Sequence, residues 1–145
     1  MREDVQRILD SSIELWNTGN VDIAKRVYTD RAERHDPNQP EPVRGLEALS
    51  RYVAEVRTGF PDFRVDRKEE VVEGDRVASH WTATGTHKGE FRGIPPTGKR
   101  VSVSGLALAR IENGRIAEER VYWDRLALFE QLGVSPQTQA RGAGR

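Results

Sequence analysis

The chain has 145 residues, with 23 basic and 23 acidic side chains in balance and no cysteine. That length suits one domain with a real core, and the charge balance leaves no field to gather nucleic acid or an anionic membrane. Without cysteine there are no disulfides, thiolate nucleophiles or thiolate metal ligands, which fits a reducing compartment. The charged start Met1-Arg2-Glu3-Asp4 does not read as a signal peptide, and no apolar run approaches membrane-spanning length, so a soluble cytoplasmic protein is expected.

Val5, Ile8, Leu9, Ile13 and Trp16 recur at helical spacing, which predicts an amphipathic helix over residues 3–18 that ends at Gly19. Asn20 is placed to cap a second, shorter helix carrying Ile23, Ala24, Val27 and Tyr28. Residues 32–35 read as a short extended piece ending at His35, cut off by Pro37 and a loop through Pro40 and Pro42. A third helix follows Gly45, with Leu46, Leu49, Tyr52, Val53 and Val56 on one stripe, and stops before Gly59-Phe60-Pro61-Asp62.

From Phe63 the pattern is β. Strands are expected over 63–72, 76–86, 101–111 and 115–123, with turns at Glu73-Gly74-Asp75 and Glu112-Asn113-Gly114 and a glycine- and proline-broken loop between the second and third. After Asp124 the period becomes helical again through Leu126, Phe129 and Leu132, with Gly133 as the cap. Residues 1–134 are expected to form a single domain and 135–145 a disordered tail. Helices followed by a long antiparallel sheet predict an α+β fold with helices on one face.

Asp124 stands where the last strand gives way to the last helix, so it is either a working carboxylate or that helix's N-cap. Read with period two, Ile116, Glu118, Arg120, Tyr122 and Asp124 share one face of the strand, opposite Ala117, Glu119, Val121 and Trp123. The polar row either lines a pocket or faces water. Burial beside Tyr122, Trp123, Leu126 and Phe129 would make Asp124 a better base. Arg120 on the same face would instead hold it in an ion pair. His35 could carry protons at a pocket mouth or be a satisfied structural histidine, and His80, which faces either the pocket or the outer sheet surface, ranks after it. Metal binding by the histidines is not expected, because no pair sits at the spacing of a helical metal motif. Trp16, Tyr52, Phe60 and Trp81 are core or pocket wall, and any of them could touch a flat ligand.

The pieces His35-Asp36-Pro37, Phe60-Pro61-Asp62, Gly74-Asp75-Arg76-Val77, Gly85-Thr86-His87 with Gly89-Glu90-Phe91, and Gly93-Ile94-Pro95-Pro96-Thr97-Gly98 follow one another in order. They lead through Arg110-Ile111 and Asn113-Gly114-Arg115-Ile116 to Asp124 and Gln131-Leu132-Gly133. In that order and spacing the chain resembles the SnoaL-like polyketide cyclases of the nuclear-transport-factor-2-like superfamily. The resemblance implies a strongly curved, mainly antiparallel sheet wrapped round three N-terminal helices into a cone-shaped α+β barrel with an internal pocket, often as a homodimer. It implies cofactor-free ring closure by intramolecular aldol condensation in secondary metabolism, on a small hydrophobic, polyketide-like ligand. It assigns the acid/base role to Asp124; the residues themselves add His35 and His80 as further catalytic candidates and Trp16, Tyr52, Phe60, Trp81, Arg120 and Tyr122 as candidates for the substrate pocket. Arg120 stands where members often have Trp, and His80 where they often have Arg. The alternatives are a non-catalytic domain of the same fold that binds a hydrophobic ligand or another chain, and an isomerase or epoxide hydrolase relative.

Overall fold

The computed structural model describes residues 2–134; the expected tail at 135–145 lies outside the described residues. In chain order the elements are α1 (Arg2–Thr18), a 3-10 turn (Val21–Ile23) running into α2 (Ala24–Val27), β1 (Tyr28–His35), β2 (Val43–Arg44), α3 (Leu46–Gly59), β3 (Arg64–Glu73), β4 (Arg76–Thr86), β5 (Arg100–Glu112), β6 (Arg115–Trp123) and α4 (Arg125–Leu132). The strands form one six-stranded sheet in the order β2-β1-β6-β5-β4-β3. Every neighbouring pair is antiparallel except β1 with β6, which run parallel. The architecture is α+β as expected. The sheet is open, however, so the barrel is corrected to a mixed sheet that is not closed.

Three differences in the elements have physical causes. The strand expected at 32–35 begins at Tyr28, because α2 is a single turn and ends at Val27. Val43–Arg44 forms a two-residue edge strand on Glu33 and Arg34, too short to leave a period between Pro42 and Gly45. Asn20 caps the 3-10 turn through its side chain, accepting from the Asp22 N–H at 3.1 Å.

The helices lie against one face of the sheet. That inner face carries Val65, Val77, Ala83, Val101, Ala109 and Val121, all buried, and meets Val5, Ile8 and Leu15 of α1 and Leu49, Val53 and Val56 of α3. Two polar side chains fix the junctions. Asn17 pairs like a strand residue with Val65, donating to its carbonyl at 3.1 Å and accepting from its N–H at 2.7 Å. Arg57 donates to the carbonyls of Trp16 and Phe63, both at 3.0 Å, and of Pro61 at 3.1 Å, satisfying chain ends that cannot reach a ladder partner.

The loop between β4 and β5 is tied down by His87, which is fully buried and stacks on Phe60 at 5.3 Å. Its Nδ1 accepts from the Thr97 backbone N–H at 3.2 Å, and burial holds its pKa below the ordinary value. A histidine depressed in the folded state binds protons more readily when unfolded, so its contribution is complete above the ordinary value of 6.5 and erodes as pH falls from there through the folded-state value. Urea unfolding should therefore show a midpoint that falls as the pH is lowered below about 6.5. His87→Gln, which cannot protonate, should lose much of that slope; an unchanged slope would show that other groups cause it.

Candidate active site

The last strand sets the site, and it does so through one extra residue. Ile111 pairs with Ile116 while Arg110 pairs with Glu118, so Ala117 is a bulge in β6. Beyond it Glu119, Val121 and Trp123 face the helices, whereas Glu118, Arg120 and Tyr122 face outward across Arg110, Leu108 and Leu106. Of the row that the period-two pattern groups together, Glu118, Arg120 and Tyr122 share the outer face, whereas the bulge leaves Ile116 buried on the inner one and Asp124 lies beyond the end of the strand.

Glu119 is the buried carboxylate of the inner face, 6% exposed. Tyr28 Oη donates to its Oε1 at 2.6 Å and Arg34 Nη1 to the same oxygen at 3.0 Å. Among the described residues no hydrogen bond reaches Oε2. Parallel pairing of β1 with β6 brings the three together, Arg34 standing opposite Glu119 in the register. The Arg34 guanidinium also lies 5.2 Å from the ring centres of both Trp16 and Tyr52. Burial alone would weaken its charge, but Glu119, Tyr52 and Tyr28 more than offset that and hold its pKa above the ordinary value. Burial, and then Glu119, push the Tyr28 hydroxyl well up, so it stays a proton-bearing donor. The Arg34 Nε–H is buried without a hydrogen-bond partner among the described residues.

Two chambers of about 110 and 90 Å³ open on either side of Arg34. Both are lined by Trp16, Phe63 and Trp81. The first adds Glu119, Arg67 and Ser79, and the second adds Tyr52, Phe60, Phe91 and Trp123. Gly105 shapes their common wall, since a Cβ there would come within 2.3 Å of the Trp81 indole. Only a glycine lets the ring lie across β5. Trp123 is oriented by Asp36, which accepts from its indole N–H at 2.8 Å and from the Asn38 N–H at 2.8 Å. That gives the buried Asp36 of His35-Asp36-Pro37 a positioning task.

Of the residues expected around the substrate, Trp16, Tyr52, Phe60 and Trp81 line the chambers. Others are corrected. Asp124 is exposed, borders neither chamber and caps α4, its Oδ1 accepting from the Ala127 N–H at 3.0 Å. The strand has already ended there, so strand alternation no longer aims the side chain. Arg120 pairs with Glu118 at 3.6 Å and not with Asp124, and Tyr122 is 56% exposed, both on the outer face. His80 is on that face too, opposite Leu106, because its neighbours Ser79 and Trp81 take the inner positions. His35 faces outward between Glu33 and Glu118 and borders a surface groove rather than the chambers. Glu119, Arg34 and Tyr28 were missed as a group. The available signal was Glu119 sharing a phase with Val121 and Trp123, a carboxylate on the more apolar face of its strand.

Residues 6–132 match the family model described as SnoaL-like polyketide cyclase. The aklanonic acid methyl ester cyclase DnrD of Streptomyces peucetius is 30% identical over 127 residues, covering 83% of this chain and 85% of that one. The nogalonic acid methyl ester cyclase of Streptomyces nogalater is 31% identical over 90 residues, 61% of this chain and 67% of that one. TsrD from Streptomyces laurentii superposes with a TM-score of 0.84 at 27% identity, over 93% of this chain and 98% of that one. The two named cyclases are in line with an enzyme of the polyketide cyclase type. With the match running from α1 to the end of α4 over the fold that encloses these chambers, the chain belongs to the family of SnoaL-like polyketide cyclases.

Proposed function

We propose that the protein closes a ring by intramolecular aldol condensation, with Glu119 moving the proton and Arg34 receiving the developing oxyanion. The supporting observation is the asymmetry of Glu119: its Oε1 is held by Tyr28 and Arg34 while its Oε2 accepts nothing from the described residues. A C–H acid between two carbonyls gives its proton to Oε2, and the resulting carbanion attacks a carbonyl carbon of the same molecule. The alkoxide then takes a proton back from Glu119, so no net proton or electron is exchanged. The Arg34 guanidinium, which donates to Glu119 through Nη1, also donates to the enolate oxygen, which carries charge only along the reaction path. The aromatic walls hold a flat ring system and exclude water. Aldol closure requires no redox group.

The nearest test uses aklanonic acid methyl ester, the substrate class in the relatives' names, with ring closure followed by mass spectrometry. Glu119→Gln should lower turnover by roughly 10²- to 10⁴-fold. Because it also leaves the buried Arg34 charge without its counter-ion, Glu119→Asp serves beside it: the ion pair is kept, the free oxygen is withdrawn by one methylene, and turnover should still fall while the fold persists. Full activity in both variants would sink the assignment. Asp124 gives the opposite expectation. Asp124→Asn should turn over normally, and Asp124→Ala should cost about 1 kcal/mol of stability through the lost cap without changing the rate per folded molecule. Loss of turnover in a folded Asp124→Asn protein would return the acid/base role to that residue.

We also propose a homodimer through the outer sheet face, where Val71, Leu106, Leu108 and Tyr122 stand 64%, 55%, 41% and 56% exposed. Light scattering at high micromolar concentration should give twice the chain mass, and Leu106→Glu with Leu108→Glu should return it to the monomer. A wild-type protein that scatters as a single chain would exclude the dimer.

A further inference from the structure

Outside the cavity, one set of side chains has a geometry that neither the sheet nor the ring-closing reading uses. Glu33 and His35 alternate on the outer face of β1, and Glu118 stands opposite Glu33 on β6. His35 Nε2 lies 3.1 Å from Glu33 Oε1 and 3.9 Å from Glu118 Oε2, and the three ligand atoms all fall within 4.8 Å of one another. Ligands at zinc-like bond lengths around one tetrahedral cation are about 3.4 Å apart, a spacing the two measured distances bracket. The second oxygen of each carboxylate is held from outside: Arg44 Nε lies 3.1 Å from Glu33 Oε2 and Arg120 Nε 3.6 Å from Glu118 Oε1. Each glutamate thus turns one oxygen toward the imidazole and the other toward an arginine, Arg44 hydrogen-bonding Glu33 and Arg120 lying at ion-pair distance from Glu118.

We propose that Glu33, His35 and Glu118 bind a divalent transition-metal cation of the Zn²⁺ class. One imidazole nitrogen and two carboxylate oxygens give three protein ligands and leave a fourth position for water or an incoming oxygen donor. All three come from hydrogen-bonded strands, a more rigid origin than a loop. The cation would neutralise the two carboxylates it touches, while Arg44 and Arg120 keep hold of the outer oxygens. Their positive charge makes the site weaker than a bare acidic one. The cluster borders a groove lined by Asp36, Pro37, Pro42 and Tyr122, so a bound cation would fasten the end of β1 and the 36–42 loop to β6. Helical spacing among the histidines could not reveal it, because two of the three ligands are glutamates and one arrives through the parallel register. The proposal is independent of the ring-closing reading, which concerns the other face.

The test takes the full-length chain without a polyhistidine tag and titrates it with Zn²⁺ calorimetrically and with Co²⁺ by visible absorption. One cation per chain is expected, with the intense visible bands of low-coordinate cobalt. His35→Ala should weaken binding by at least about tenfold, and Glu118→Gln should do so by a similar factor. His80→Ala, on the same sheet face but outside the cluster, should bind as the wild type does. Circular dichroism confirms that each variant is folded. Wild-type binding no tighter than that of His35→Ala, or binding lost in His80→Ala instead, would overturn the proposal and leave the three residues as an ion-paired surface cluster.

Discussion

One inserted residue decides which chemistry faces which side of this sheet. Were Ala117 absent as a bulge, Ile116 and Glu118 would lie on one face and Glu119 would point away from Arg34. With it, Ile116 closes the core, Glu119 enters the cavity and Glu118 turns out toward His35. The proposed acid/base group and the proposed cation ligand are therefore consecutive residues separated by the thickness of the sheet. The register shifts again in β3, between Arg67 and Glu69, and that is how Arg67 and Glu70 come together at 2.6 Å on the inner side.

Burying Arg34 and Glu119 is costly, since each charge gives up its water and the mutual attraction returns only part of the loss. The surroundings offset this in specific ways. Tyr28 supplies a second donor to the carboxylate, and the guanidinium lies near two aromatic rings that are electron-rich on their faces. Among the described residues, the Arg34 Nε–H is left without a partner and one carboxylate oxygen of Glu119 without a donor. A hydrophobic replacement would pack as well and cost less, so the polarity at this point is better understood as serving a ligand than as holding the fold.

Much of the framework was legible in the sequence. The limits of β4 and β6 are those the alternation and turn residues indicate, and Asp124 and Gly133 mark both ends of α4. Leu106 and Leu108 fall on the outer face, a choice the alternation left open against Val101 and Val103. The cavity aromatics were legible too, because large rings at helix and strand spacing have few other places to go. The catalytic candidate was not. Alternation groups side chains without saying which group faces inward, and Arg120 and Asp124 drew attention to the face that meets solvent. The deciding facts, the Ala117 bulge and the parallel pairing of β1 with β6, are long-range features that no local window contains.

That parallel pairing also governs when the cavity can come into being. Arg34 and Glu119 are 85 residues apart in sequence, and Asp36 and Trp123 are 87 apart. The hairpins β3–β4 and β5–β6 need only short turns, whereas the seam between β1 and β6 needs almost the whole chain to have been threaded first. A growing chain that has not yet been made as far as β6 therefore carries Arg34 with no counter-ion and an inner sheet face without the strand that bears Glu119. Any ligand that prefers the site can act only after β6 has paired with β1.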